Sequence, residues 1–217
     1  MEIPYDKDSK ERLPYEHYLE KYQSMDPEEM AKRTNLPWDA EKKTFTIRLM
    51  SVTYSVSWPE YEVHHMDHDE MVFFPLEDAF NARILILRYM VDGGAVPATG
   101  KFLTYREVPW GQVYFKQFQG RCLMRLAYGF GSKLDVFRLV MEQLGATPVK
   151  TGDAGFEFEF INDLKLQFML WEGDDEFPPA SQILFSDNFP AAFVMGEDMA
   201  VVGDVSINVI KALSSKK

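Results

Sequence analysis

Residues 156–170 read FEFEFINDLKLQFML, and their alternation is the clearest structural signal in the chain. Phenylalanine alternates with glutamate up to Phe160, and the alternation of apolar and polar side chains resumes from Leu164 after Asn162-Asp163. A period of two residues puts alternate side chains on opposite faces of a strand, and Asn and Asp tolerate the positive φ angles of a tight turn. The stretch therefore predicts an antiparallel β-hairpin with one apolar face.

A second alternating region lies nearer the N-terminus, over residues 44–58. The apolar positions change parity at Met50-Ser51. One extra residue moves every later side chain to the other face, so we expect a bulge or a tight reversal there. Residues 183–185 predict a further strand.

Apolar residues at helical spacing mark the remaining chain. We expect the main helices over residues 75–91, 111–128 with a possible break at Gly120, 132–144 and 197–213. Strands occur in pairs between helices, without strict strand–helix alternation. The predicted fold class is therefore α+β, a mainly antiparallel sheet with helices packed on it. Residues 1–40 predict a helical N-terminal arm, and residues 41–217 predict a single α+β domain.

The net negative charge of the chain disfavours some classes of binding partner. The 217 residues carry a net charge of −11, which repels phosphate backbones and anionic lipid headgroups. We therefore expect no nucleic acid and no membrane surface as a partner. Cations or basic protein surfaces are favoured instead, although solubility alone is the simpler reason for the charge. A polar N-terminus and the absence of any apolar run of membrane-spanning length predict a cytoplasmic protein.

Cys122 is the single cysteine, so the chain can form no intramolecular disulfide and no four-cysteine metal site. The neighbouring Arg121 would favour a thiolate. A catalytic cysteine also needs a base, and the nearby sequence offers no histidine. We favour a buried thiol in a helix.

Four carboxylates crowd the end of the hairpin. Residues 171–179 read WEGDDEFPP, so Trp171 precedes a run that includes Asp174, Asp175 and Glu176 and ends in a rigid Pro-Pro pair. We favour a solvated turn in which one carboxylate caps backbone amides. The alternatives are a protein or arginine partner, and a hard cation such as Mg²⁺ or Ca²⁺. The spacing does not match an EF-hand loop.

Three of the four histidines, His64, His65 and His68, lie within five residues. Imidazole and carboxylate groups together are typical ligands of transition metals. The segment follows a strand and has no apolar period, so we favour a solvated loop over a metal or pH-sensitive site. The acidic residues of this segment are Asp67, Asp69 and Glu70.

Two further polar pairs are candidate binding residues. Arg106-Glu107 suits an ion pair, and Glu197-Asp198 opens a predicted helix, where negative charge is stabilised.

Several motifs together resemble the domain of unknown function 3786 family of anaerobic bacteria and archaea. They are residues 171–180, 183–185 with Asp187, 99–101, 105–109, 120–121 and 197–203, so the resemblance spans about residues 40–213 and leaves out the arm. The resemblance implies no activity. It implies that some members of the family accompany iron–sulfur domains or proteins of corrinoid-linked methyl transfer. This chain has a single cysteine, so an iron–sulfur cluster would have to be bound by a partner protein. The three histidines are outside its pattern.

Two functions remain open. The leading hypothesis is a non-catalytic binding or accessory module that uses the Trp171–Pro179 loop, with a protein partner or a small ligand. The alternative is a carboxylate-based or divalent-cation-dependent enzyme centred on Asp174, Asp175 and Glu176, whose side chains would then converge on a pocket. The sequence identifies no cofactor.

Overall fold

The predicted hairpin is the centre of the sheet in the computed structural model, which describes residues 11–68, 70–71 and 73–215. Its turn residues Asn162 and Asp163 have φ of 31° and 71°, as a two-residue hairpin turn requires. In the described residues the strands are β1 (Trp38–Asp39), β2 (Thr44–Leu49), β3 (Val52–Ser57), β4 (Val63–His65), β5 (Phe102–Thr104), β6 (Thr147–Pro148), β7 (Ala154–Ile161), β8 (Leu164–Trp171) and β9 (Ala180–Ser186).

Every strand pairing is antiparallel, and the strand order is β4-β3-β2-β7-β8-β9-β5, with β1 on β2 and β6 on β7. Between β2 and β3, Met50 and Ser51 have φ of 46° and 73°. The parity change is therefore a tight reversal, which returns the chain directly into the neighbouring strand.

The sheet has two halves that meet at one narrow joint. Strands β2 and β7 share a single register pair, Leu49 opposite Ile161. Beside it, the Arg48 guanidinium makes a two-pronged ion pair with Glu159, with Nε 2.5 Å from Oε1. One half is thus β1–β4, and the other is β5–β9.

The helices of the described residues are α1 (Leu13–Ser24), α2 (Pro27–Thr34), α3 (Pro75–Asp78), α4 (Phe80–Asp92), α5 (Gly111–Phe118), α6 (Arg125–Phe130), α7 (Leu134–Gln143), α8 (Phe189–Ala192) and α9 (Gly196–Ser214). A π-helical segment, Gln119–Met124, joins α5 to α6. The helix therefore continues through Gly120 with a wider turn. The single helix expected over residues 75–91 is divided at Ala79, whose backbone is extended.

The buried apolar side chains of the sheet and the helices form one cluster within the described residues. The α+β fold class is thereby confirmed. The N-terminal helices lie on this core: the buried Tyr22 hydroxyl donates to the Ser57 carbonyl (2.9 Å), and Trp58 Nε1 donates to the Tyr22 carbonyl (3.1 Å). Residues 1–10 of the predicted arm lie outside the described residues, and the division at residue 40 stays a prediction.

Among the described helices, none combines the length and the apolar character needed to cross a lipid bilayer.

Candidate functional site

The acidic loop, Trp171–Pro179, folds on itself. Asp174 Oδ1 accepts hydrogen bonds from the backbone N–H groups of Phe177 (2.7 Å) and Glu176 (2.9 Å), and the Asp174 N–H donates to the Phe177 carbonyl (2.9 Å). These two donors favour the charged carboxylate and lower the pKa of Asp174. One carboxylate of the run therefore caps its own turn.

The remaining acids of this loop do not converge. Asp175 and Glu176 are exposed, and within the described residues neither they nor Asp174 line any of the clefts considered below. The loop is anchored instead by its ends, because the Glu172 N–H donates to Asp153 (2.8 Å) and Pro179 packs against Gly131. Asp174, Asp175 and Glu176 therefore do not meet in any of these clefts, whereas Glu172 lines a separate cleft of about 590 Å³ together with Asp153 and Arg138.

The three histidines do not converge either. His64 and His65 are neighbours on β4, where successive side chains face opposite sides of the sheet. The His65 ring stacks on Phe74 at 3.8 Å, and its Nδ1 lies 2.9 Å from Glu77 Oε1. His68 Nδ1 lies 3.1 Å from a carboxylate oxygen of Glu70. In the described ranges, no three of the His, Cys, Asp and Glu side chains form a group that could hold a metal ion, and Asp69 lies outside those ranges.

The two predicted polar pairs, Arg106-Glu107 and Glu197-Asp198, lie in neighbouring segments of the structure. The hydroxyl of Tyr105 donates to the carbonyl of Gly196 (2.7 Å), so the segment with Arg106 and Glu107 lies against the start of α9. No hydrogen bond or ion pair among the described residues joins this region to the acidic loop.

Arg106 and Glu107 have local partners. The Arg106 guanidinium lies 3.5 Å from the centre of the Phe115 ring. Glu107 Oε2 accepts from both the backbone N–H and the hydroxyl of Thr104 (2.7 Å each), which lowers the pKa of Glu107. Both residues therefore hold the turn that follows β5.

Asp198, in the first turn of α9, is the buried acid of this region. Its side chain is only 6% exposed, and Oδ1 lies 2.8 Å from Nη1 of Arg88 on α4. The Arg88 guanidinium also lies over the Tyr18 ring, 5.2 Å from its centre. Helices α1, α4 and α9 thus meet at one ion pair.

The environment of this carboxyl opposes its ionisation. Burial raises the pKa of Asp198 to about 6, and the negative charges of Glu197 and Asp92 act in the same direction. The Arg88 charge acts against these effects without cancelling them. A carboxyl with such a pKa exchanges its proton close to neutral pH, which is a property of many functional carboxyls.

A cleft of about 680 Å³ opens beside this ion pair, and a smaller cavity of about 190 Å³ lies on its other side. Arg88 and Asp198 line both spaces. The larger one, which we call the α9 cleft, has the size of a small-molecule site. Its lining includes Glu11, Pro14, Asn81, Ile84, Leu85, Arg88, Tyr114, Gln117, Arg121, Glu197, Asp198, Ala200 and Val201.

The rim of the α9 cleft is polar. Glu197 is exposed and accepts a hydrogen bond from the Tyr114 hydroxyl, which raises the pKa of that tyrosine. On another side, Asp204 accepts from Arg121 and from Asn81 (3.2 Å each), and also from Arg125. The Nε–H of Arg88 is buried and has no hydrogen-bond acceptor among the described residues.

Cys122 lies behind the cleft and is not one of its lining residues. The thiol is buried against α9 and donates weakly to the Ala200 carbonyl (Sγ to O, 3.4 Å). Burial raises the pKa of Cys122 to about 12, so it stays protonated at neutral pH. The prediction of a buried thiol in a helix is confirmed.

A cleft of about 770 Å³ beside the loop 94–100 is larger, but its buried polar side chains already have hydrogen-bond partners. The buried Ser186 hydroxyl donates to Asn188 Oδ1 (2.6 Å), and Asn188 Nδ2 donates to the Asp163 carbonyl (3.3 Å). The exposed Lys165 ammonium is paired with Glu157 (3.1 Å). The α9 cleft, with its buried acid and unpaired donor, is therefore the better candidate site.

Glu197 and Asp198 are among the residues predicted from the sequence, whereas Arg88 and Tyr114 are not. The signal for Arg88 was present, because it interrupts the apolar positions 84–87 and 89–91 of a helix that is largely buried. A charge in such a helix requires a partner of opposite sign. Which carboxylate supplies it depends on long-range packing.

One family model matches the chain over residues 26–209, and its description is Domain of unknown function (DUF3786). The match begins before residue 40, so it includes α2, and the prediction that the arm lies outside the family resemblance is wrong for residues 26–40. Neither a curated protein nor a solved structure matches the chain.

Proposed function

We propose, for a chain that belongs to the DUF3786 family, that it is a binding module whose small-molecule site is the α9 cleft. The observation that carries the proposal is the Arg88–Asp198 ion pair between two cavities. Withdrawing two charges from water is expensive, and hydrophobic side chains would fill the same space at lower cost. Glu197 and Tyr114 add polar groups at the rim, so the cleft offers both apolar contact and orientation to a ligand.

The test is a thermal-stability screen of the full chain against small charged metabolites. A ligand present at 100 times its Kd stabilises the folded state by about 2.7 kcal/mol. For a chain of this size, that raises the Tm by about 5–10 °C. Val201→Phe fills the cleft without removing a charge, so it should abolish the shift.

The matched control is Leu139→Phe, which adds an aromatic ring to the exposed face of α7, away from the cleft. This variant should retain the full shift of the wild-type chain. A ligand that stabilises Val201→Phe as strongly as wild type binds elsewhere, and such a result would contradict the proposal.

An acid–base enzyme at the same cleft is the second candidate. The pKa of Asp198, raised to about 6, suits a group that gives or takes a proton near neutral pH. Turnover of a screened ligand that disappears in Asp198→Asn, while the ligand still binds, would favour this function. Unchanged ligand after prolonged incubation would favour the binding module.

The acidic loop remains in the proposal as an exposed surface for a protein partner. Trp171 is 37% and Phe177 67% exposed, so the loop presents two aromatic side chains beside its carboxylates. The association with iron–sulfur or corrinoid proteins of anaerobes, which the family resemblance implies, stays a prediction. Native mass spectrometry of the chain purified from an anaerobic host would reveal a retained partner. Its retention should be lost in a Trp171→Ala/Phe177→Ala variant.

A further inference from the structure

The charges of the α9 cleft do not balance. Arg88 is paired with Asp198, and Arg121 is paired with Asp204 (3.2 Å). Glu197 accepts a hydrogen bond from a neutral tyrosine hydroxyl, and no cation among the described residues lies within ion-pair distance of it. Asp198 therefore neutralises Arg88, Arg121 shares Asp204 with Arg125, and the Glu197 carboxylate has no cationic partner among the described residues. Among the lining residues the carboxylates (Glu11, Glu197 and Asp198) outnumber the arginines (Arg88 and Arg121), so the lining is negative.

A second carboxylate strengthens this imbalance. Glu11 lines the same cleft and has no ion-pair partner among the described residues. The negative charge of the whole chain, −11, adds a field of the same sign. An anionic ligand would be repelled here, and a cation would be attracted.

The rest of the lining is aliphatic. Ile84 and Leu85 come from α4, and Ala200 and Val201 come from α9. An inorganic cation would gain nothing from these side chains, because it retains water or oxygen ligands. A methylene chain would gain from burial, by about 0.8 kcal/mol for each CH₂ group removed from water.

We infer that the ligand of the α9 cleft is a primary alkylammonium compound. Its ammonium group donates to Glu197, and its methylene chain lies on the aliphatic side chains of α4 and α9. The inference rests on the proposed function of this cleft and gives its ligand class. A free aliphatic amine and the lysine side chain of a partner share this chemistry.

Three five-carbon probes test the inference by calorimetry on the full chain: 1,5-diaminopentane, 5-aminopentanoate and glutarate. They have the same chain length and differ in charge. The diamine should bind most tightly and glutarate most weakly, and the affinity for the diamine should fall as salt screens the carboxylates. Nα-acetyl-lysine amide serves as the fourth probe. If it binds more tightly than the diamine, the source of the ammonium group is the lysine side chain of a partner; if the diamine binds more tightly, the source is a free aliphatic amine.

Glu197→Gln should weaken the binding of the diamine about tenfold or more, since a hydrogen bond to a charged group is lost. Glu142→Gln removes an exposed carboxylate from α7 and should leave the affinity unchanged. Glu197 is exposed, so its replacement is compatible with folding.

Tighter binding of 5-aminopentanoate or glutarate, or no binding of the diamine at about 1 mM, would overturn the inference. An equal effect of both glutamine variants would overturn it as well. If another charged metabolite still stabilises the wild-type chain but not Val201→Phe, the proposed function survives and only its ligand class is wrong. If no metabolite stabilises the wild-type chain in this way, both the proposed function and the inferred ligand class are wrong.

Discussion

Asp198 combines a position at the start of a helix with nearly complete burial. From the sequence it is a helix-capping charge, stabilised by the helix dipole and by water. In the structure it faces Arg88 and is shielded from water. Its ionisation therefore makes the stability of the folded chain depend on pH.

The first prediction concerns this pH dependence. The pKa of Asp198 is about 6 in the folded chain against an ordinary value of 3.8, so between about pH 4 and 6 the folded state binds more protons than the unfolded state. The stability that this carboxyl contributes is fully present below the unfolded pKa of 3.8. It is lost as the pH rises through the folded-state pKa of about 6. The loss is on the order of 3 kcal/mol. Relative to Asp198→Asn, wild type should lose that stability over this range.

Urea unfolding of both proteins from pH 4 to pH 7 measures the difference. Carboxyls with a lowered pKa, such as Asp174 and Asp187, make the folded state more stable as the pH rises. They are present in wild type and in Asp198→Asn, so their effect cancels in the difference between the two proteins. Asp175→Asn, at an exposed position, should follow the wild-type curve. Parallel curves for wild type and Asp198→Asn would show that this carboxyl does not have the raised pKa.

The second prediction concerns Asp174 and the acidic loop. Asp174→Ala removes the acceptor of the Phe177 and Glu176 amides, so these amides should exchange with deuterium faster. Asp174→Asn keeps an acceptor oxygen and should retain most of the protection. Because the pKa of Asp174 is lowered, the protection in wild type should be lost as the pH falls through that lowered pKa. Equal exchange in the three proteins would contradict the capping role.

The contact between α9 and the π-helical segment 119–124 has no room for an added atom. A Cβ at Gly203 would lie 2.8 Å from Cys122 Sγ and 3.4 Å from Phe118 Cε2. The absence of a side chain at Gly203 is what allows the two helical segments to approach. This close approach also forms the inner wall of the α9 cleft, through Ala200 and Val201.

The third prediction follows from that contact. Gly203→Ala should destabilise the chain by about 1–3 kcal/mol, because the helices must separate or distort. Gly129→Ala is the matched control, since the new methyl group would meet only the flexible Lys211 side chain at 3.6 Å. It should be neutral or stabilise α6 by about 0.5–1 kcal/mol. The urea midpoints measure both changes.

A double variant, Gly203→Ala with Cys122→Ala, provides a further check. The removal of Sγ leaves space for the new methyl group, so the double variant should be more stable than the sum of the single changes predicts. Strict additivity would place the cause of the destabilisation elsewhere.

The elements that depend on local pattern were predictable from the sequence. Residues 44–57 and 154–171 alternate around turns, and residues 196–214 keep an apolar face. Each of these patterns belongs to the element itself, so neighbouring residues suffice to recognise it. The break at Ala79 and the π-helical turn at 119–124 result from tertiary packing that overrides helical propensity.

The candidate site was only half predictable for the same reason. Glu197 and Asp198 stood out as charges at a helix start, and the Tyr105–Gly196 contact brings Arg106 and Glu107 near them. The pairing of Asp198 with Arg88 joins two helices that are far apart in the chain, and no local pattern encodes it. The acidic loop was a candidate site because it contains four carboxylates. Composition alone does not distinguish a self-capped turn from a binding site.

The narrow joint between β2 and β7 divides the sheet into two halves. The Leu49–Ile161 register pair, the Arg48–Glu159 ion pair and a few flanking hydrogen bonds join the two sheet halves at that point. A joint with so few hydrogen bonds is expected to open locally before the chain unfolds.

The fourth prediction tests the joint. Arg48→Met should speed hydrogen exchange at Met50 and Asn162, whose N–H groups donate across it to Phe160 and Arg48 carbonyls. Global stability should fall by less than about 1 kcal/mol, because the ion pair is partly exposed. Arg138→Met, which breaks an exposed pair with Asp135 on α7, should leave those amides unchanged. Unaltered exchange in Arg48→Met would show that the joint does not depend on this pair.

The strands at the two ends of the sheet, β4 and β5, are three residues long each in the described part of the chain. An edge of that length offers a neighbouring molecule about 10 Å of unpaired backbone. Long, flat edges serve as templates on which further copies add strand by strand, and proteins commonly avoid this by keeping their outer strands short. The short outer strands therefore leave little unpaired backbone on which the sheet of a second copy could add.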